Sequence, residues 1–267
     1  MSDRALLDAM VVAALEAGRI AHEIYQGEFV VLRKEDESPV TEADRAAEAV
    51  ILEHLARVAT GIPVVAEEEV AAGRIPVVGD EFFLVDPLDG TKEFVQKSGD
   101  FTVNIALIRK GEPVLGVVYA PARGRLFAGD VAARYAFKSA QQPDAVDQAP
   151  RELIRVRAAP SGGLVAVASR SHRTPATETY LSRYTVAGIV SVGSSLKFCL
   201  VAAAEADLYP RLGPTMEWDT AAGQAVLVAA GGQVIAPDGA PLQYRKPEFR
   251  NTSFVASGAF APLPPDA

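Results

Sequence analysis

FFLVDPLDGT, residues 82–91, is an apolar run that ends abruptly in two carboxylates. Its four leading apolar residues predict a buried strand, and Pro87, which has no N–H, predicts that the hydrogen-bond ladder stops there. Gly90 allows a tight turn that exposes the amides after it. Asp86 and Asp89, crowded at the mouth of a strand, repel each other unless a cation lies between them. Mg²⁺, which takes oxygen ligands from a few carboxylates, phosphate and water, meets this requirement. An ordinary strand-to-turn junction is the alternative for the stretch taken alone.

Other acidic residues also stand at the ends of predicted elements. Glu67 follows a short apolar run, although three consecutive acids are by themselves typical of a solvated loop. Asp44 stands three residues after Thr41, as in a capping box, and a helix N-terminus also gathers anions and water. Asp219 opens a helix predicted over residues 218–230, where a carboxylate is a good cap. The acids are therefore placed where a fold could bring them together.

The pattern of apolar residues divides the chain into two predicted halves. In the first, residues 1–140, an amphipathic helix over residues 2–26 precedes a mostly antiparallel sheet. The polar stretch 139–150 lacks periodicity and marks the predicted boundary. In the second half, residues 151–267, strands alternate with helices, including a long helix over residues 194–206.

Composition and charge restrict the class of protein. The chain has 267 residues, a formal net charge of −8 and 49% hydrophobic residues. Such an acidic chain argues against binding to nucleic acid, which needs a basic face, and no run of about 18 apolar residues could span a bilayer. The single Cys199 excludes an intrachain disulfide and predicts a reducing, cytoplasmic compartment, with the thiol buried in a helix. The sequence leaves open a homodimer and peripheral contact with the inner face of the membrane.

Three motifs occur in the order AEEE (66–69), DPLDGT (86–91) and WDTAAG (218–223). Together they resemble the inositol monophosphatase superfamily, over essentially the whole chain. Each motif alone is weak, but their joint order is hard to reach by chance. One departure is Ala66, where the superfamily has Gly or Ser before the two acids. Members are Mg²⁺-dependent, lithium-sensitive phosphatases, so the resemblance implies this chemistry and a layered αβαβα sandwich of the α+β class.

Further runs carry a likeness to one branch of that superfamily. They are VDPLDGTKEF (85–94), FTVNIAL (101–107), GVVYAP (116–121), SRSH (169–172), GSSLKFCLVA (193–202) and LYPRLGPT (208–215). These runs are similar to those of the 3′(2′),5′-bisphosphate nucleotidases of the bacterial CysQ type, whereas inositol phosphatases match the last three less well. The resemblance implies hydrolysis of the 3′-phosphate of adenosine 3′,5′-bisphosphate to AMP and phosphate, a reaction of sulfur assimilation.

Carried over position by position, the resemblance implies a site with two or three Mg²⁺ ions. The implied metal ligands are Glu67, Asp86, the backbone carbonyl of Leu88, Asp89 and Asp219. The implied catalytic residues are Asp44, Thr91 and Glu67, of which the first two position and activate an attacking water. The implied substrate contacts are Glu67, Leu88, Asp89, Gly90, Thr91, Ser194, Lys197 and Asp219. A shift of the ligand by one place, from Glu67 to Glu68, is left open.

A second phosphate on the substrate needs a cation of its own. Lys197, which follows two serines, and Arg170 are the candidates, and His172 is a weaker one. The alternative for Lys197 is a surface lysine whose stem covers apolar neighbours.

Other functions are also open at this stage. A haloacid-dehalogenase-type phosphatase needs a second Asp two places after the nucleophile, whereas Asp86 and Asp89 are three apart. A silent sensor that binds metal and nucleotide without turnover is disfavoured by Asp44 and Thr91, which serve the water. Hydrolysis of inositol-1-phosphate or a related sugar phosphate is the alternative within the superfamily.

Overall fold

The computed structural model describes residues 1–33, 39–168 and 174–265. Its α-helices are α1 (Asp3–Gln26), α2 (Glu42–Val58), α3 (Glu67–Ala71), α4 (Thr91–Val95), α5 (Pro175–Leu181), α6 (Leu196–Ala202) and α7 (Ala221–Ala229). The strands of the first half are β1 (Val31–Arg33), β2 (Pro39–Thr41), β3 (Val64–Ala66), β4 (Glu81–Asp89), β5 (Thr102–Arg109), β6 (Glu112–Ala120), β7 (Arg125–Asp130) and β8 (Tyr135–Ala140). Those of the second half are β9 (Glu152–Leu153), β10 (Leu164–Ala168), β11 (Val186–Ser191), β12 (Leu208–Arg211), β13 (Thr215–Met216), β14 (Gln233–Ile235), β15 (Arg250–Asn251) and β16 (Phe254–Ser257).

Two sheets separate three layers of helices. The first sheet has the order β3-β4-β5-β6-β7-β8-β9 and is antiparallel except between β3 and β4. Helices α1 and α2 pack on one of its faces, and α6 and α7 pack on the other. The second sheet, β11-β10-β12-β16-β14, has α6 and α7 on one face and α5 on the other. The predicted αβαβα sandwich of the α+β class is thus confirmed.

Strand β4 is apolar on both faces because both faces are covered. Phe83 and Val85 belong to the core shared with α1 and α2. Phe82 and Leu84 belong to the core shared with α6 and α7. Since side chains alternate along a strand, Asp86 emerges on the face that carries α6 and α7.

The ladder of β4 is interrupted at Pro87, but the strand does not end there, which corrects the prediction. Asp86 is opposite Asn104 on β5, and pairing resumes with Asp89 opposite Thr102. Pro87 has no N–H to donate, so three steps along β4 match two steps along β5. In a regular strand residues three apart face opposite sides, and this extra residue therefore turns both carboxylates to the same side.

Helix α7 belongs to the second half of the chain but packs on the first sheet. It approaches β6 and β7 at two glycines. A Cβ atom on Gly116 would lie 2.4 Å from the carbonyl oxygen of Ala222, and one on Gly129 would lie 2.8 Å from the Cα atom of Val226. Any larger residue would push the helix away, so these glycines set the distance between α7 and the sheet.

Several predicted elements differ from the observed ones. The run of acids at residues 67–69 begins the short helix α3 rather than a solvated loop. Helix α6 is much shorter than predicted, because Ser194 and Ala204 have positive φ angles of 52° and 58° on either side of it. Helix α7 begins only at Ala221, so Asp219 lies in the turn before it.

The division into halves at residues 140–151 stays a prediction. Strand β9, which follows that boundary, pairs with β8 and extends the first sheet. Cys199 is fully buried, as expected for a structural thiol. Within the described ranges, no helix combines the length and apolar character needed to cross a bilayer.

Candidate active site

A cavity of about 250 Å³ opens where β4 ends. Its wall includes seven residues that the sequence nominated: Glu67, Asp89, Gly90, Thr91, Ser194, Lys197 and Asp219. The described structure therefore brings together residues from α3, β4, α4, α6 and the turn before α7. Arg170 and His172, also nominated, lie outside the described residues.

The two carboxylates of β4 are held by the backbone around them. Asp86 is buried, and its Oδ1 atom accepts a hydrogen bond of 3.0 Å from the Leu88 amide. The half-buried Asp89 accepts through Oδ2 from the Ser195 amide at 2.6 Å. Gly90, with φ of +96°, then adopts the left-handed conformation that glycine favours, and the chain turns into α4. The predicted tight turn at Gly90 is present.

Asp44 serves both a helix cap and the site. Its Oδ2 atom accepts from the amide and the hydroxyl of Thr41, each at 2.8 Å, which completes the predicted capping box. Its Oδ1 atom accepts from the Thr91 hydroxyl at 3.3 Å. That hydroxyl also lies 3.4 Å from the carbonyl oxygen of Leu88, the implied backbone metal ligand. Because the Thr91 hydroxyl donates its hydrogen to Asp44, the lone pairs of its oxygen can accept a hydrogen bond from a water.

Asp219 comes from the second half of the chain. Its Oδ2 atom accepts from the Thr215 hydroxyl and, at 3.0 Å, from the Met216 amide. These bonds fix the carboxylate in the turn between β13 and α7. For Asp86, Asp89 and Asp219 alike, the hydrogen bonds within the described residues engage only one of the two carboxylate oxygens.

Burial and neighbouring negative charges raise the pKa values of two of the acids, Asp86 and Asp219. Burial raises the pKa of Asp86 well above its ordinary value, and the charges of Glu67, Asp89 and Asp219 raise it further. Burial, followed by the charge of Asp89, raises the pKa of Asp219 to about 6. Ionised carboxylates this close are costly without a counter-charge, so the donor set fits a divalent cation. Glu67 takes part in this interaction, which supports it over Glu68 as the ligand.

No group of three or more Asp, Glu, His or Cys side chains in the described ranges is placed to hold a metal ion by itself. Mg²⁺ does not require one, because it commonly binds through one or two carboxylates and fills its other positions with water and phosphate oxygens. Oxygen donors without sulfur or imidazole are typical of such a site. The residues present therefore fit Mg²⁺ bound together with a phosphorylated substrate.

Glu48 is a buried acid that sequence reasoning missed. It lies one turn after Asp44 on α2, and its Oε2 atom accepts from the Glu68 amide at 2.8 Å. The N-cap residue of α3, Ala66, supplies no side-chain hydrogen bond, so Glu48 takes over this capping role from another helix. It thereby supports the segment that carries Glu67. Its position one helical turn from Asp44 was the available signal.

We expect Glu48 to make the stability of the metal-free protein depend on pH. Burial raises the pKa of Glu48 to about 7, so the folded protein holds this proton more tightly than the unfolded chain. The stabilisation that protonated Glu48 gives the folded state is complete below the pKa of Glu48 in the unfolded chain. It is lost as the pH rises through about 7. The free energy of unfolding of wild type, minus that of Glu48→Gln, should therefore fall between about pH 5 and pH 8, by at most about 1.4 kcal/mol per pH unit.

Urea unfolding in a chelating buffer at several pH values measures this difference. Glu53→Gln, an exposed acid on the same helix, is the matched control and should follow wild type. Parallel curves for wild type and Glu48→Gln would contradict the expected result.

Three cationic side chains line the same cavity as the acids: Lys92 is exposed, whereas Lys197 is buried and Arg211 is half-buried. Lys197 is only 4% exposed, so the alternative of a surface lysine is wrong. Its Nζ atom donates to the Ser194 carbonyl at 2.6 Å, and burial lowers its pKa to about 8, which leaves it mostly protonated at neutral pH. Arg211, at the end of β12, is the half-buried cation, and its Nη2 atom donates to Pro214 at 3.1 Å. Arg211 was not predicted as a site residue, although it is the only charged residue of the run LYPRLGPT.

Comparisons with known proteins agree over nearly the whole chain. The sequence model of the inositol monophosphatase family matches residues 3–261. The 3′(2′),5′-bisphosphate nucleotidase CysQ of Shigella flexneri is 44% identical over 255 residues, which cover 94% of this chain and 99% of that protein. The crystal structure of CysQ from Bacteroides thetaiotaomicron is 38% identical, with a TM-score of 0.81 over 97% of this chain and 98% of that one. An inositol monophosphatase structure from Anabaena has 28% identity and a TM-score of 0.74, over 96% and 92% of the two chains.

Proposed function

Because the chain belongs to the inositol monophosphatase family, and its cavity has the shielded cations Lys197 and Arg211 beside carboxylates, we propose that it is a 3′(2′),5′-bisphosphate nucleotidase. It hydrolyses the 3′-phosphate of adenosine 3′,5′-bisphosphate to give AMP and inorganic phosphate. The observation that carries the choice of substrate is the pair formed by Lys197 and Arg211. A substrate with a single phosphate would use only the acidic side of the cavity, whereas a bisphosphate uses both sides.

The acidic side would hold two or three Mg²⁺ ions through Glu67, Asp86, the Leu88 carbonyl, Asp89 and Asp219. When bound, Mg²⁺ supplies Lewis acidity that polarises the phosphoryl group and offsets its negative charge. Lithium should inhibit the enzyme at millimolar concentrations or below. The family likeness supports the metal dependence, and the raised pKa values of Asp86 and Asp219 support the assignment of the ligands.

The chain's own residues would prepare the attack on phosphorus. The Thr91 hydroxyl donates to Asp44 and accepts a hydrogen bond from a water, which orients a lone pair of that water toward the phosphate. Asp44 holds Thr91 in this orientation. Through the Thr91 hydroxyl it acts as the general base that makes the water more nucleophilic. The turn at Gly90 and the start of α4 present backbone amides to the 3′-phosphate. The 5′-phosphate is retained on Lys197, Arg211 and Ser194.

Replacement of the two cations tests this choice of substrate. Lys197→Ala and Arg211→Ala should each lower kcat/KM for adenosine 3′,5′-bisphosphate by about tenfold to a hundredfold, since a charge-assisted phosphate contact contributes roughly 1.5–3 kcal/mol. Neither change should alter kcat/KM for 3′-AMP by more than about twofold, because that substrate has no 5′-phosphate. Phosphate release at fixed Mg²⁺ is the measurement.

Lys92→Ala is the matched control, since Lys92 is an exposed cation at the same cavity. This variant should keep the wild-type ratio of kcat/KM between the bisphosphate and 3′-AMP. Equal losses on both substrates would place Lys197 or Arg211 in the fold rather than in nucleotide recognition. Faster turnover of inositol-1-phosphate than of the bisphosphate would reassign the chain to the inositol phosphatases.

The cellular setting is a further part of the proposal. The enzyme acts on a small phosphorylated nucleotide of sulfur assimilation in the cytoplasm, where its single thiol stays reduced. Its relatives named as CysQ and its formal net charge of −8 support this assignment over a nucleic-acid partner.

A further inference from the structure

Ser195 lies between two acidic residues from distant parts of the chain, and it contacts the carboxylate of Asp89 and the backbone of Asp219. Its amide donates to Asp89 Oδ2 at 2.6 Å. Its Oγ atom lies 2.9 Å from the same carboxylate oxygen and 2.6 Å from the backbone carbonyl oxygen of Asp219. Ser195 is 2% exposed, so these contacts are shielded from water. One residue therefore contacts a proposed ligand of each half.

The hydroxyl of Ser195 is itself held from a third side. Asn104 Nδ2 donates to Ser195 Oγ at 2.9 Å and lies 3.3 Å from Asp89 Oδ2. A serine hydroxyl has one proton, so it donates either to Asp89 or to the Asp219 carbonyl while it accepts from Asn104. The amide and the hydroxyl together leave Asp89 little freedom to rotate.

The peptide unit that joins Ser194 to Ser195 is fixed at both ends. Its carbonyl accepts from Lys197 Nζ at 2.6 Å, and its N–H donates to Asp89 at 2.6 Å. Ser194 has a φ of 52°, a conformation that a non-glycine residue keeps only when its surroundings hold it. This conformation turns the Ser195 amide toward Asp89.

We propose that Ser195 is a positioning residue, which orients Asp89 and ties it to Asp219 so that both can bind metal together. The inference rests on the part of the proposed function that makes these two acids metal ligands. It does not depend on which phosphate ester is hydrolysed. Ser195 would contact neither the substrate nor the attacking water.

Calorimetric titration of Mg²⁺ into the metal-free protein tests the proposal without any substrate. Ser195→Ala should weaken Mg²⁺ binding about tenfold, as is common when a partner of a metal ligand is lost. Ser195→Thr, which keeps the hydroxyl, should restore most of the affinity. Cys199→Ala, a buried change on the same short helix away from both acids, should bind Mg²⁺ like wild type.

Kinetics separate positioning from a general loss of structure. At saturating Mg²⁺, Ser195→Ala should recover kcat to within about threefold of wild type, with KM for the nucleotide unchanged. Wild-type Mg²⁺ affinity in Ser195→Ala would overturn the role of Ser195 and leave the proposed function intact. Equal weakening in Ser195→Ala and Cys199→Ala would overturn it as well. Absence of Mg²⁺ binding by wild type would overturn the proposed metal site itself.

Discussion

We expect Thr91→Val and Asp44→Asn each to lower kcat by at least about a hundredfold and to leave KM within about threefold of wild type. The Thr91 hydroxyl donates to Asp44 Oδ1, and in the proposed mechanism these two side chains act on the attacking water. Their loss therefore acts on the water in the transition state and not on substrate binding. Steady-state kinetics with adenosine 3′,5′-bisphosphate at saturating Mg²⁺ is the measurement.

Two controls accompany these variants. Thr91→Ser retains the hydroxyl and should keep most of the activity, whereas Thr91→Val has nearly the shape of Thr91 without the donor. Asp44→Asn also weakens the capping box at Thr41, so its melting temperature must be measured alongside its kinetics. A rise in KM with an unchanged kcat in either variant would refute the proposed role.

Asp89→Asn should lower turnover by a factor on the order of 10² or more and raise the Mg²⁺ concentration needed for half-maximal rate. Asp89 Oδ2 accepts from the amide of Ser195, so an Asn at this position places its oxygen there and its NH₂ toward the cation. One ligand charge is lost and a donor replaces an acceptor. The fold should survive because the oxygen facing Ser195 is kept.

Rates measured across a Mg²⁺ titration, with melting temperatures in a chelating buffer, check this result. Asp80→Asn is the control, since Asp80 is an exposed carboxylate whose pairing with Arg245 is remote from the cavity. Activity close to that of wild type at limiting Mg²⁺ in Asp89→Asn would refute the metal site.

Local sequence patterns predicted most of the fold. Helix α1 follows from apolar residues at three- and four-residue spacing, and β5 from alternation, because in both cases a single stripe or face has to be buried. The order of the three acidic motifs predicted the layered sandwich through the family resemblance. These predictions depend on neighbours within a few residues or on motifs present in the chain itself.

The rest depended on contacts between residues far apart in sequence. Pro87 ends a ladder locally, but its strand continues because β5 pairs with the residues beyond it. The end of α6 and the start of α7 were misplaced because tertiary packing, not helix propensity, fixes them.

The supporting residues of the site were hidden for the same reason. Ser195 and Asp89 are 106 residues apart, and Glu48 and Glu68 are 20 apart. No local pattern links such pairs. The acids of the three motifs were recognisable from the sequence, whereas Glu48, Arg211 and Ser195 belong to no pattern that sets them apart from other residues of their type.

Because α7 packs closely on the first sheet, substitutions of residues that lie outside the metal site can still disrupt it. Gly116 and Gly129 determine how near the helix lies to β6 and β7, and Asp219 precedes that helix by two residues. A single methyl group at either glycine would lift α7 and carry Asp219 away from Asp86. Inactive natural variants of this chain should therefore include substitutions at these two glycines in which every acid of the site is intact.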